Sequence, residues 1–550
     1  MNKLILIGIN ARYSHPATAL YYLKRYVRDL EWDVSIKEFT INTPAPEILQ
    51  SISDEKPRAV AFSVYIWNTT LVQQVLSALG QMNTRPVIVL GGPDASYNPD
   101  EWLARYSFID YIIAGHGEEA FRNLFADDLI RKERIIRMQN PPFQEIPFPY
   151  TDADLAGFTH RKIYYESSRG CLFKCAYCLS SREDQRLEFR DIGLVKEELE
   201  IIMKHKPRII KFVDRTFNSK QSHAHAVWEH IICSYAHSGT RFHFEIHPDL
   251  LNDKDFEILK KCPAGLFQFE IGIQSTNEQA LKAVNRKGDW ETIKPKIKRL
   301  IDMNTIPVHT DLIAGLPFED YESLAFSFNE VYPLGADHFQ PGYLKVLPGT
   351  EVRERANEWG LCYASEPPYE VTSNSWLNAD NMKTVKSISK LVDILYNSHR
   401  FKITLENLLT FYKSAFSFFE ELSGTAAQKS AKDGMQWEYL AGILIECALA
   451  LRIDREYILD CLRWDWCASS ASNRMPKMLK TDTERKKRKE FFALIKEKKQ
   501  ALLPEKISEV PAAELYFFYA ETADFRNKYL SGKSCAVFIC GKKEALISNF

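Results

Sequence analysis

The sequence predicts an α/β protein: a doubly wound domain over 1–140, a linker over 141–160, a partial (β/α)6 barrel over 161–350, and a mainly helical domain over 351–550. Three observations predict it. Short apolar, β-rich runs alternate with helix-period segments in two successive regions, the pattern of parallel sheets buried on both faces. The proline-rich stretch NPPFQEIPFPY (140–150) separates the two regions, and proline removes backbone donors and holds the chain extended. Beyond about residue 350 the alternation gives way to amphipathic helical patterns.

In the first region, strand-like runs occur at 3–9, 32–39, 58–64, 86–92 and 110–115, spaced for helical crossovers. Open α/β sheets bind ligands at the C-terminal ends of their strands. Three of those ends carry SVYIWN from Ser63, GGPDAS at 91–96 and GHGEEA at 115–120. Paired glycines permit close backbone approach to a flat or phosphate-bearing ligand. No G-x-G-x-x-G follows the first strand, so this is not the dinucleotide fingerprint.

In the second region, runs at 162–168, 209–214, 241–246, 266–273, 306–313 and 337–347 predict six barrel strands, with active groups at their C-terminal ends. Directly after the first of them comes SSRGCLFKCAYCLSS (167–181), with Cys171, Cys175 and Cys178. Thiolates are soft ligands suited to zinc or iron–sulfur clusters. Structural zinc sites usually close four ligands, and the nearest further donors, His160 and Cys233, lie outside this loop. A [4Fe–4S] cluster on three thiolates leaves one iron open to a ligand. Eleven cysteines, an odd number, argue against a disulfide framework.

Composition narrows the class. Apolar residues make up 45% and the formal net charge is −1, so the whole molecule is no polyanion binder. No apolar run reaches membrane-spanning length, and the short one at the N-terminus reads as a first strand. A soluble, cytoplasmic protein with no membrane or nucleic-acid partner is expected. The basic run RKKRK (485–489), continuing to Lys496, Lys498 and Lys499, reads as a solvated helix face. AELYFFYAE and SCAVFIC…ALIS predict a small hairpin-based sheet near the end.

The spacing Cys171-x3-Cys175-x2-Cys178, with Gly170 before it and Tyr177 inside it, resembles the radical S-adenosylmethionine (SAM) superfamily. FEIGIQS (269–275), DLIAGLPFED (311–320) and LKVLPGTEV (344–352) resemble its later strand motifs, and FVDRTFN (212–218) places polar groups at the rim. Preceded by the two glycine loops, the whole of about 1–350 resembles the cobalamin-dependent radical SAM enzymes. The resemblance implies a [4Fe–4S] cluster on Cys171, Cys175 and Cys178, and SAM contacts from Tyr177, Glu245 and Gln274. It implies cobalamin contacts from Ser63, Trp67, Gly91, Gly92, Pro93, Gly115, Gly117 and Glu118, with Gly92 leaving room for the nucleotide tail. The D-x-H-x-x-G motif that supplies a cobalt-ligating histidine elsewhere is absent; NARYSHP (10–16) stands there instead. His15 reads as a loop or capping residue, while Tyr65 and Trp67 either cover the lower face of cobalt or pack in the core.

The activity implied is methylation of an unactivated carbon of a small molecule, with an electron donor of flavodoxin or ferredoxin type. The alternative is a ring rearrangement or cyclisation with the same cofactors. An RNA-modifying methylthiotransferase expects a second cysteine triad near the N-terminus, and residues 1–170 contain no cysteine. No residue is assigned as catalytic.

Overall fold

The structure, a computed structural model, describes residues 2–182, 186–427, 436–470, 475–502, 515–533, 535–539 and 545–548. The chain divides into two compact units. The first comprises 1–327, 334–336 and 342–382; the second comprises 328–333, 337–341 and 383–550.

The first unit opens with a parallel sheet in the order β2-β1-β3-β4-β5-β6. Its strands are β1 (Asn2–Asn10), β2 (Trp32–Thr40), β3 (Ala59–Ser63), β4 (Val87–Gly91), β5 (Tyr111–Ile113) and β6 (Ile135–Ile136). Five match the apolar runs; β6, only two residues long, carries no readable pattern. Alternate residues feed two separate cores. Ile5, Ile7, Val60, Phe62, Ile88 and Leu90 pack on one face with Val72, Val75 and Leu76. Leu4, Leu6, Ala59, Ala61 and Val89 pack on the other with Leu20, Phe121 and Leu124. Burial on both faces is why these strands read as unbroken apolar runs. The strand order reverses between β1 and β3, and that reversal opens a crevice at their C-terminal ends.

The second sheet has the order β14-β13-β12-β11-β10-β7, the sequential winding of a partial barrel. Its strands are β7 (Ile163–Tyr165), β10 (Ile209–Phe212), β11 (Arg241–Ile246), β12 (Phe267–Gln274), β13 (Val308–Ala314) and β14 (His338–Tyr343). Between β7 and β10, β8 (Ser168–Arg169) pairs antiparallel with β9 (Glu188–Phe189). Period two divides the barrel residues. Phe242, Phe244, Phe267 and Phe269 are fully buried, and Phe244 and Phe269 meet Trp228 of the helix Gln221–Tyr235. Lys211, His243, Glu245, Glu270, His309 and Asp311 face the lumen, where they contact one another. After β14 comes a small hairpin, β15 (Cys362–Tyr363) with β16 (Val371–Ser373).

The second unit is mainly helical and carries the antiparallel sheet β17 (Leu515–Tyr519), β18 (Cys535–Ile539), β19 (Ala545–Ser548). Phe491 of the helix Asp482–Leu502 stacks on Phe517. On the basic face of that helix Arg485 pairs with Asp482 and Lys487 with Glu490, as a solvated face does. The side chains of Lys496, Lys498 and Lys499 lie outside the described residues. No helix among the described residues is long and apolar enough to cross a membrane.

Candidate cofactor site

The cysteine loop leaves β7 through a fixed turn. Gly170 has φ +81°, and a Cβ there would stand 2.3 Å from the Arg186 carbonyl oxygen, so only glycine closes this base. The Cys171 thiol accepts the Phe173 N–H at 3.4 Å and lies 3.5 Å from Thr216 Oγ1. The Cys178 N–H donates to the Cys175 carbonyl at 3.0 Å. Backbone bonds from Ala176 to Val284 and from Val352 to Ala176 knit the loop to two later segments of the barrel. All three thiols are unbridged. Burial raises the Cys178 pKa, Arg215 opposes that, and the charges of Cys175 and Cys171 add to it. Thiols that feel one another's charge in this way repel as thiolates unless a cation holds them. The donor set therefore fits an iron–sulfur cluster, and Arg286, 3.9 Å from the Cys175 sulfur, adds compensating charge. Tyr177 packs its ring against the core cluster of Leu316, Leu344 and Val371, and its buried hydroxyl lies beside Cys175.

The strand ends around this loop are polar and built. Asp214, after β10, is buried and accepts from the Ser167 N–H (3.0 Å), Ser167 Oγ (2.6 Å) and Ser168 Oγ (2.6 Å). This network fixes the exit of β7. Burial pushes the Asp214 carboxyl up to about 6 against the pull of those serine bonds. Gln274 ends β12 with φ +75° beside a register shift. Its side chain folds over Gly272, where an added Cβ would stand 2.1 Å from its amide nitrogen. Arg286 donates to the Gly272 carbonyl. Glu245 sits opposite Glu270 in register, and Lys211 bridges the two at 3.4 and 3.1 Å. Glu270 also accepts from His243 at 2.9 Å. Burial raises the Glu245 carboxyl, Lys211 opposes this, and the charge of Glu270 adds to it.

At the crevice between β1 and β3, Trp67 Nε1 donates to the Ile9 carbonyl (3.2 Å), and Asn68 Nδ2 bonds the Ile9 and Ser63 carbonyls (3.0 and 2.9 Å). Tyr65 and Trp67 stack at 4.3 Å. Trp67 is 47% exposed, so it is a surface platform and not a core residue. Ser63 is buried at the end of β3. An added Cβ would meet nothing closer than 3.9 Å at Gly91 and nothing within 4 Å at Gly115, while at Gly117 it would touch Leu23 at 3.5 Å. Pro93 starts the short helix Pro93–Tyr97, and the next residue, Asp94, accepts from Thr69 and from Tyr369.

Two expectations change here. At Gly92 the side on which a Cβ would stand is filled by backbone and not left for a ligand: an added Cβ would lie 2.5 Å from the Val64 carbonyl oxygen, so this glycine serves the approach of two backbone segments. Glu118 is no open cofactor contact: its carboxylate pairs with Arg169 at 2.7 Å and accepts from Asn140. His15 bonds the Tyr164 hydroxyl at 2.8 Å. Burial, with Lys162 and Arg12 nearby, depresses it to about 4, so it is neutral at neutral pH. Sequence reading missed Arg169, Arg286 and Lys211, whose partners Glu118, Gly272, Glu245 and Glu270 come from separate segments and leave no local signal.

Residues 4–125 match the B12 binding domain, 165–330 the Radical SAM superfamily, and 357–523 the family described as Protein of unknown function (DUF4080). The chain is 26% identical over 309 residues to a 2-(S-pantetheinyl)-carbapenam-3-carboxylate methyltransferase of Streptantibioticus cattleyicolor, covering 50% of this chain and 45% of that protein. It is 24% identical over 406 residues to the cobalamin-dependent radical SAM methyltransferase TokK of Streptomyces tokunonensis, covering 65% and 58%. The chain thus spans about half the length of these curated relatives. Its fold is shared with OxsB, solved with aqua-cobalamin and SAM bound, at TM-score 0.60 and 14% identity over 90% of this chain and 81% of that one. It is also shared with TsrM from Kitasatospora setae, solved with cobalamin and a [4Fe–4S] cluster, at TM-score 0.53 and 14% identity over 67% and 78%. The chain therefore carries a B12-binding domain followed by a radical SAM domain, with Cys171, Cys175 and Cys178 directly after the first barrel strand, and it shares the fold of proteins solved with cobalamin, SAM or a [4Fe–4S] cluster bound.

Proposed function

We propose that this protein is a methyltransferase that methylates an unactivated carbon of a small molecule. The observation that carries the reading is the tie between the two cofactor regions. The residue two before Cys171 is ion-paired to the first residue after the GHG loop, at 2.7 Å, within one compact unit. A cluster held by Cys171, Cys175 and Cys178 would supply one-electron reduction of SAM, and a bound cobalamin would supply a methyl carrier.

The chain's own work is binding and orientation. Cys171, Cys175 and Cys178 hold the cluster, and Arg286 and Arg215 offset the negative charge that gathers there. Gln274, with Tyr177 and Glu245 in support, contacts SAM. Ser63, Gly91, Pro93, Gly115 and Gly117 line the cobalamin site, and the Tyr65–Trp67 stack covers its crevice face. Asp214 fixes the exit of β7, where the cysteine loop begins, through Ser167 and Ser168. Holding reacting groups in line is worth several kcal/mol of barrier. We place the enzyme in the cytoplasm, where thiols stay reduced, with a flavodoxin or ferredoxin as electron donor. The domain limits we propose remain 1–140, 161–350 and 351–550. The methyltransferase names of both curated relatives favour methyl transfer over rearrangement.

The test is product stoichiometry with isotopically labelled SAM. Methyl transfer releases 5'-deoxyadenosine and S-adenosylhomocysteine in equal amounts and adds one methyl mass to the product. Turnover that gives 5'-deoxyadenosine without S-adenosylhomocysteine hands the case to rearrangement.

A further inference from the structure

We propose that Arg169 and Glu118 are a positioning pair that sets the separation between the iron–sulfur cluster and cobalamin; this rests on the reading that the chain binds both. Arg169 stands at the base of the cysteine loop, one residue before Gly170, whose φ of +81° suits glycine, and two before Cys171. Its guanidinium pairs with Glu118 at 2.7 Å and with Glu166 at 3.0 Å. The Phe143 and Tyr22 rings lie 4.5 and 5.0 Å from it. Glu118 is the first residue of the helix Glu118–Ala126, directly after the loop that carries Gly115 and Gly117. That loop is itself held, since the Gly115 N–H donates to Ser96 Oγ at 2.5 Å.

The side chains of Arg169 and Glu118 are 12% and 7% exposed. A pair so withdrawn from water holds its geometry tightly, because displacement leaves charge buried without a partner. Arg169 thus joins four segments: the cysteine loop, the glycine-loop helix, the first helix of the N-terminal domain, and the proline-rich linker. A second pair, Arg161 with Glu38 at 2.6 Å, ties the same two domains but lies before β7, away from both loops. It docks the domains, whereas Arg169 fixes one loop against the other. A misplacement of about 1 Å between reacting groups costs roughly 10²-fold in rate, so this separation matters to the chemistry.

The experiment uses full-length protein reconstituted anaerobically with a [4Fe–4S] cluster and cob(II)alamin. Pulsed electron paramagnetic resonance reads the magnetic coupling between Co(II) and the reduced cluster, which falls with the inverse cube of their separation. Wild type is expected to give a single narrow coupling. Glu118→Gln removes the charge but keeps an acceptor for Asn140; it is expected to broaden or shift the coupling at unchanged iron, sulfide and cobalamin contents. Arg169→Lys keeps the charge but loses the two-pronged fork, and should fall between the two. If Glu118→Gln does not fold, Arg169→Lys decides. Wild-type coupling in the folded variants, with only a lower unfolding temperature, overturns the proposal and makes the pair a stability element alone. A wild-type protein that binds cluster but no cobalamin refutes instead the reading on which the pair rests.

Discussion

Replacing Gly92 and Gly115 with alanine, one at a time, separates a glycine needed by the fold from one that leaves space for a ligand. Gly92 has φ +91° and ψ 164°, a region that residues other than glycine enter at a cost of about 1–3 kcal/mol. Its new Cβ would also lie 2.5 and 2.7 Å from the oxygen and nitrogen of Val64. Both atoms are already bonded: the Val64 N–H donates to Gly91 at 2.8 Å, and the Asp94 N–H donates to the Val64 carbonyl at 3.2 Å. Forcing these strands apart costs about 1 kcal/mol per bond. The sum is about 3–5 kcal/mol. Gly115 has φ +94° but nothing within 4 Å, so its alanine variant carries backbone strain alone, about 1–2 kcal/mol. Urea unfolding of the apoprotein measures the first effect. Cobalamin retained through gel filtration, read by visible absorbance, measures the second. Gly92→Ala is expected to lower the unfolding midpoint strongly. Gly115→Ala should lower it little and yet weaken cobalamin binding, because its methyl enters the open face. A Gly92→Ala protein as stable as wild type, or a Gly115→Ala protein that binds cobalamin normally, would refute the reasoning.

Alanine at Cys171, Cys175 or Cys178 is expected to abolish cluster assembly and 5'-deoxyadenosine formation; stoichiometric zinc without sulfide in the wild-type protein would overturn the cluster assignment. Glu319 is fully buried, accepts from Ser275 and Ser327, and is raised by burial to about 8 from 4.5. Its protonated form is the one the fold favours. Its contribution is therefore complete below pH 4.5 and is lost as pH rises toward 8, by about 1 kcal/mol per pH unit. Glu319→Gln should flatten the fall in unfolding temperature across that window, and an unchanged pH profile would count against it. His15→Ala should leave the electron paramagnetic resonance spectrum of bound cob(II)alamin unaltered, since His15 is held by Tyr164; nitrogen splitting that vanishes in the variant would show that His15 ligates cobalt.

The sequence by itself determined what repeats or clusters locally. Strands buried on both faces leave unbroken apolar runs, so five strands of the first sheet and all six of the barrel were legible from 3–9 through 337–347. Three soft donors within eight residues announce a cluster that needs three ligands, with no information required from elsewhere in the chain. What only the tertiary structure decided is partnership. Gly92 and Gly115 look alike in a sequence, yet one faces Val64 and the other open space. Glu118 in GHGEE reads as an acid beside a glycine loop until Arg169 is seen against it. The polar rim of FVDRTFN could be noted, but not that Asp214 reaches back to Ser167 and Ser168. Nor could β6, whose two residues are held by pairing with β5 and not by any pattern of their own. Side-chain periodicity records whether a position is buried; it does not record what covers it, because that neighbour is brought in by chain segments tens or hundreds of residues away.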